Sequence, residues 1–116
     1  RMLTAAYGYF VEKNYDKAID YYRMMDDGGF GLPESWIRLG ESYYRTKDYK
    51  NAVLTLQKVI EEGDNSYTEE ADIVIASSLW KLDRKEEAVA RLEEILKQED
   101  DHTFKSKAEE ILSIVK

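Results

Sequence analysis

The stretch WIRLGESY at residues 36–43, followed by Ala52 and Leu56, decides the fold of this chain. Its apolar and small residues recur at intervals of three and four, the spacing at which side chains share one face of an α-helix. Asp48 lies between this stretch and Ala52, and aspartate is a preferred residue at the start of a helix. The stretch therefore predicts two helices joined by a short turn.

The same pattern occurs in three places along the chain. A step of 34 residues back from Ala52 gives Ala18, and a step of 36 forward gives Ala88, while the same forward step takes Leu56 to Leu92. A further step of 37 residues brings residues 103–116 into register as a first helix without a second. The sequence therefore predicts three helix pairs and one closing helix.

These residues and this period resemble the tetratricopeptide repeat (TPR) family. The resemblance implies an all-α fold, a right-handed solenoid of three helix-turn-helix repeats plus a C-terminal capping helix. We expect one domain over residues 1–116, with repeats at about 1–30, 33–64 and 67–100 and the capping helix at about 103–116. Because the chain opens on Arg1 within its first repeat, we expect it to be a fragment of a longer polypeptide.

Local chemistry predicts several helix boundaries. Asn14 and Asp48 are expected to cap the second and fourth helices, and Pro33 suits the first position of the third. Ser66 with Glu69 has the spacing of a capping box for the fifth helix. Small residues are expected to face each other where the helices of a pair approach closely; these pairs are Ala6 with Ala18, Gly40 with Ala52, and Ala76 with Ala88.

Composition excludes several classes of protein. The 116 residues are 43% hydrophobic and 35% charged and include a single proline, which fits one folded helical domain. There is no cysteine, so disulfides and thiolate metal sites are excluded. The formal net charge of -7 disfavours nonspecific binding to nucleic acid or to an anionic membrane. No apolar run is long enough for a membrane span and no targeting segment is evident, and the compartment stays open between cytoplasm and bacterial periplasm.

By resemblance, the first helix of each pair lines a concave groove that binds a partner. The residues at groove positions are Tyr7, Phe10, Ile37, Glu41, Tyr44, Arg45, Ile73, Ser77, Trp80 and Lys81. Equivalent places hold Phe10, Tyr44 and Trp80, which predicts an aromatic ladder that anchors a peptide or helix. The alternative is that these rings pack against the next repeat. Arg45 and Lys81 are expected to pair with acidic groups of the bound segment.

We therefore expect a non-enzymatic protein–protein interaction module, an adaptor or scaffold, with no cofactor and no metal. The alternatives are an accessory or regulatory domain of a larger enzyme, or a unit that self-associates through its repeat ends. The single histidine, His102, lies in a polar loop without a catalytic partner, and the paired glutamates follow helix surfaces. RNA binding would need a basic groove, which the acidic balance disfavours.

Two subfamilies offer a comparison. The repeats that grip acidic chaperone C-termini use lysine, asparagine and arginine as a two-carboxylate clamp, and this chain lacks the clamp because those positions hold Leu3, Thr4, Tyr7, Glu70 and Val74. Longer units with a polar loop and an aromatic before each new helix, as at residues 65–67 and 102–104, are similar to bacterial envelope-assembly TPR proteins. Those proteins usually carry a proline in this loop, where this chain has Asp64 and Asp100.

Overall fold

The computed structural model describes residues 2–63, 66–97 and 104–116. Within these residues the chain forms seven α-helices and no strand. The helices are α1 (Met2–Val11), α2 (Tyr15–Asp27), α3 (Pro33–Arg45), α4 (Tyr49–Glu61), α5 (Thr68–Lys81), α6 (Lys85–Leu96) and α7 (Lys105–Val115). The all-α class expected from the sequence is confirmed.

Three of the predicted helix starts are confirmed. The Asn14 side chain accepts a hydrogen bond from the backbone N–H of Lys17 at 3.4 Å, and Asp48 accepts one from Asn51 at 3.3 Å. Pro33 is the first residue of α3, where its missing N–H costs no intrahelical hydrogen bond. These boundaries depend only on neighbours in sequence, which is why the sequence predicts them.

The predicted capping box at the start of α5 is wrong. Tyr67 occupies the N-cap position and makes no capping hydrogen bond through its side chain, so Ser66 lies one residue too early to act as the cap. The expected start of the last helix at Thr103 falls outside the described residues, and α7 is described from Lys105 onward. The polar residues at 64–65 also lie outside them.

The turn inside each helix pair has the same backbone geometry. Lys13, Lys47 and Asp83 each adopt a positive φ, at 64°, 66° and 63°. In each pair the next residue donates its backbone N–H to the carbonyl five residues earlier, over 2.8 or 2.9 Å. Because an unusual conformation recurs at the same place three times, the three pairs are copies of one structural unit.

Neighbouring helices along the chain pack against each other, and this packing makes the array curve. The first helices of successive pairs also meet, α1 with α3, α3 with α5, and α5 with α7. Among the described residues the second helices α2, α4 and α6 make no such backbone approach to one another. First helices that converge while second helices diverge must line the inner side of the curve.

The core consists of three clusters along this array. Tyr22 is fully buried in the first cluster, Leu56 and Ile75 in the second, and Leu92 in the third. The atoms nearest to a Cβ placed at Gly40 belong to the side chain of Leu56, and the expected pairing of Gly40 with Ala52 stays a prediction. Glycine is required at position 40 because the Leu56 side chain fills the place where a Cβ atom would lie.

The first and second pairs are joined by Asp26 at the end of α2. Its carboxylate accepts a hydrogen bond from Nε1 of Trp36 at 2.9 Å and one from Nζ of Lys58 at 2.6 Å. Burial alone would raise the pKa of Asp26, but these hydrogen bonds and the charge of Lys58 outweigh it and lower the pKa. Trp36, the most prominent residue of the opening pattern, thus holds neighbouring repeats together.

Candidate functional site: an inner cleft between α3, α5 and α7

The inner side of the curve contains a cleft of about 390 Å³. It lies between α3, α5 and α7, and we refer to it as the inner cleft. Its lining residues are Glu41, Tyr44, Arg45, Ile73, Val74, Ser77, Trp80, Lys81, Lys107, Glu110, Ile111 and Ile114. Seven of the ten residues assigned to a groove from the sequence are among them.

The other three predicted groove residues lie elsewhere. Ile37 is only 2% exposed and packs in the second core cluster. Tyr7 and Phe10 lie on α1, away from the inner cleft. Tyr7 is 45% exposed, and its ring lies under the Arg38 guanidinium, with 4.4 Å between the Arg38 Cζ atom and the ring centroid.

Two of the three aromatic residues expected to form a ladder make a ring contact, each within its own helix pair. Phe10 packs edge-on against Tyr15, with 5.9 Å between centroids, and Tyr44 packs in the same way against Tyr49, at 5.5 Å. The third pair has Lys85 in place of that tyrosine, so Trp80 remains 36% exposed. Tyr44 and Trp80 both face the inner cleft, Tyr44 being fixed by its neighbour and Trp80 the more accessible.

The capping helix α7 forms a whole wall of the cleft, which the sequence reasoning missed. Its contribution consists of Lys107, Glu110, Ile111 and Ile114. The signal was present, because the same step of 37 residues carries the α5 cleft residues Ile73, Val74 and Ser77 to Glu110, Ile111 and Ile114. Residues 103–116 already align as a first helix, so extending the groove positions from α5 to this helix predicts these residues.

The charges around the inner cleft differ from the acidic balance of the chain. Arg45 has a carboxylate partner, because its Nη2 lies 3.6 Å from Oε2 of Glu41. Lys81 and Lys107 form no ion pair within the described part of the chain, and the Lys81 Nζ lies 5.2 Å from the centroid of the Trp80 ring. Two lysines without an ion pair therefore line the cleft together with Glu41, Arg45 and Glu110, in a chain of net charge -7.

Two carboxyl groups face each other at one side of this site. Glu70 on α5 is partly buried, and burial raises its pKa; the charge of Glu41 and a hydrogen bond between the two carboxyl groups raise it further, while Arg38 opposes them. At neutral pH the charged form of Glu70 is unfavourable beside the carboxylate of Glu41. This repulsion lowers the free energy of unfolding.

This arrangement gives a prediction for the Glu70→Gln variant. Because the pKa of Glu70 is raised in the folded state, its contribution to stability is present in acid and is lost as the pH rises through the folded-state pKa. Glu70→Gln should therefore raise the free energy of unfolding at neutral pH and lose this advantage in acid. Urea unfolding at several pH values measures it, with Glu109→Gln on the exposed face of α7 as the control. An equal effect of both variants at every pH would contradict the prediction.

No other chemistry is assembled in the described residues. They contain no group of three or more His, Asp or Glu side chains that could hold a metal ion. No helix among them is both long and apolar enough to cross a membrane. A second cavity of about 340 Å³ lies on the outer side, beside Asp26 and Lys58, and its lining is a continuation of the contact between α2, α3 and α4.

The repeated pairs define a helical-repeat protein. Residues 34–66 match the family model described as the tetratricopeptide repeat, so this part of the chain is a repeat of that family. The match covers α3 and α4, the second pair. A comparison with curated proteins found no significant match. Repeats of this family are typically interaction units rather than catalysts, and their partners are proteins. The resemblance to envelope-assembly proteins depends partly on residues 64–65 and 100–103, outside the described ranges, and stays a prediction.

Proposed function

We propose that this chain is an adaptor that binds a segment of another protein in the inner cleft. The observation that carries the proposal is the juxtaposition of exposed apolar side chains and unpaired lysines in one concavity of about 390 Å³. Aromatic and aliphatic anchors within a concave pocket provide most of the binding free energy at protein interfaces. A peptide or a short helix is the occupant that a cleft between three helices accommodates.

The lining indicates which side chains a partner would use. Trp80 is 36% exposed and Ile114 is 60% exposed, so an apolar side chain placed between them would cover surface that now faces water. Lys81 and Lys107 would pair with a carboxylate beside that anchor. The proposed ligand is thus a segment with at least one large apolar residue and one acidic residue close to it.

Replacing both Tyr44 and Trp80 by alanine should abolish binding. Loss of an interface anchor typically costs about 2 kcal/mol or more, which is roughly thirtyfold in affinity for each residue. Selection from a displayed library of random peptides, with the purified chain as bait, supplies ligands for the cleft. The affinities of the selected peptides for the wild type and the double variant are then compared by fluorescence anisotropy.

A matched control separates the cleft from exposed aromatics in general. Phe30→Ala removes a more exposed ring in the connection between α2 and α3, and this variant should bind the selected peptides at least as tightly as the wild type does. Circular dichroism should give the same helix content for all three proteins. Undiminished binding by the folded double variant would show that the cleft is not the binding site.

A further inference from the structure

The connection between α2 and α3 exposes apolar side chains. Its sequence is GGFGL at residues 28–32, and we call it the apolar loop. Phe30 is 73% exposed, more than any other large apolar side chain in the described part, and Leu32 is 57% exposed. In the connections before α5 and α7, the N-cap residues Tyr67 and Phe104 take the place of Leu32, but the place of Phe30 holds the polar residues Asn65 and His102. The exposed ring of Phe30 is therefore particular to the first repeat.

The apolar loop is held in one conformation. Its Phe30 N–H donates to the carbonyl of Met25 at 2.9 Å, and Gly29 has a φ of +84°, which favours glycine. Gly31 lies so close to Trp36 and Asp26 that a Cβ atom there would overlap both side chains. A loop fixed in this way loses little conformational freedom when it binds.

The apolar loop and the inner cleft are complementary in polarity and charge. Phe30 and Leu32 offer two large apolar groups, and the cleft offers Trp80 and Ile114. Asp27, immediately before the loop, is exposed and forms no ion pair within the described ranges. The cleft in turn has three cations, Arg45, Lys81 and Lys107, against two carboxylates, and neither lysine forms an ion pair in the described ranges. Opposite charges placed around an apolar contact steer such surfaces together.

The two surfaces lie at opposite ends of the same helix. The apolar loop precedes Pro33, the first residue of α3, whereas Tyr44 and Arg45 contribute to the cleft from the last turn of that helix. A helix of 13 residues is about 20 Å long, so a loop fixed at one end does not reach the cleft at the other. Any contact between the two must join different molecules.

We infer that the inner cleft of one molecule binds the apolar loop of a second copy, with Phe30 between Trp80 and Ile114 and Asp27 facing Lys81 and Lys107. The inference rests on the proposed function of the cleft and names its occupant. Because the two contacting surfaces differ, the contact is head-to-tail, and each added molecule presents a new free loop and a new free cleft. Such a contact gives open chains where the rotation between copies does not close, and rings where it does.

Sedimentation of the purified chain over a range of concentrations tests this inference. The wild type should increase in mass with concentration and continue beyond a dimer. Phe30→Ala lacks the ring that would enter the cleft, and Trp80→Ala lacks the cleft residue that would contact it. Each variant should remain monomeric over the same range. Leu54→Ala, which removes another exposed apolar side chain, should assemble as the wild type does.

Mixing the two defective variants gives the decisive result. Phe30→Ala keeps an intact cleft and Trp80→Ala keeps an intact loop, so a mixture should form a one-to-one complex that grows no further. A wild type that stays monomeric, or a mixture that forms no complex, would overturn the inference. So would assembly that survives both substitutions, because the contact would then lie elsewhere, for example at the exposed residues of α1. Failure of this inference can be distinguished from failure of the proposed function. If only the inference fails, Phe30→Ala still binds the selected peptides.

Discussion

Gly40→Ala is expected to destabilise the fold by about 1 to 3 kcal/mol, the usual cost of forcing an extra carbon into a filled core. The added Cβ would lie well inside 3.0 Å of two carbon atoms of Leu56, a side chain that is itself fully buried. A domain of this size has a total stability of about 5 to 15 kcal/mol. The substitution should therefore remove a substantial part of that free energy, and urea unfolding followed by circular dichroism measures the loss.

A second substitution tests the cause of this loss. Leu56→Ala alone should cost about 2 to 5 kcal/mol through the cavity it leaves, but it also removes the atoms with which the new Cβ collides. In that background Gly40→Ala should cost little. Gly8→Ala is the control, because a Cβ at Gly8 meets no atom within 4 Å and alanine is favoured over glycine within a helix by roughly 0.5 to 1 kcal/mol. Equal costs of Gly40→Ala in both backgrounds would contradict the steric explanation.

The helices could be predicted because their determinants are local. Asn14, Asp48 and Pro33 act on residues within one turn of themselves, and the structure confirms all three. Ser66 failed because serine three residues before a glutamate is only a necessary condition for a capping box. The position of Tyr67 in the loop decides where α5 begins, and that position depends on packing that the sequence pattern does not contain.

The inner cleft was predictable in part because equivalent positions in a repeat have equivalent surroundings. Glu41, Tyr44 and Trp80 occupy such positions, and the structure brings them to one cleft. Periodicity does not distinguish an exposed from a buried residue on the same face: Ile37 has the periodicity of a groove residue but is only 2% exposed. Nor does it reveal pairs between helices, such as Glu70 with Glu41, since these depend on how one repeat is rotated against the next.

The largest loss of stability is expected for Ala52→Leu. Ala52 is fully buried in the cluster that contains Tyr22, Leu39 and Tyr43, at the junction of the first two pairs. A leucine there adds three carbon atoms where Gly40→Ala adds one, so the cost should reach or exceed about 3 kcal/mol, the upper end of the usual range for overpacking. Because a repeat is stabilised mainly by its neighbours, the displacement of α4 would loosen its contacts with α3 and α5 as well.

Thermal and urea unfolding of Ala52→Leu should show a lowered midpoint together with a broader transition. The matched control is Ala90→Leu, which places the same side chain at an exposed position on α6 and should change the free energy of unfolding by less than about 0.5 kcal/mol. If Ala52→Leu were tolerated as well as Ala90→Leu, α4 would have room to move away from α3 without loss of contact. Alanine at position 52 would then be explained by its high helix propensity. The close approach of α3 and α4 would not be the reason for a small residue there.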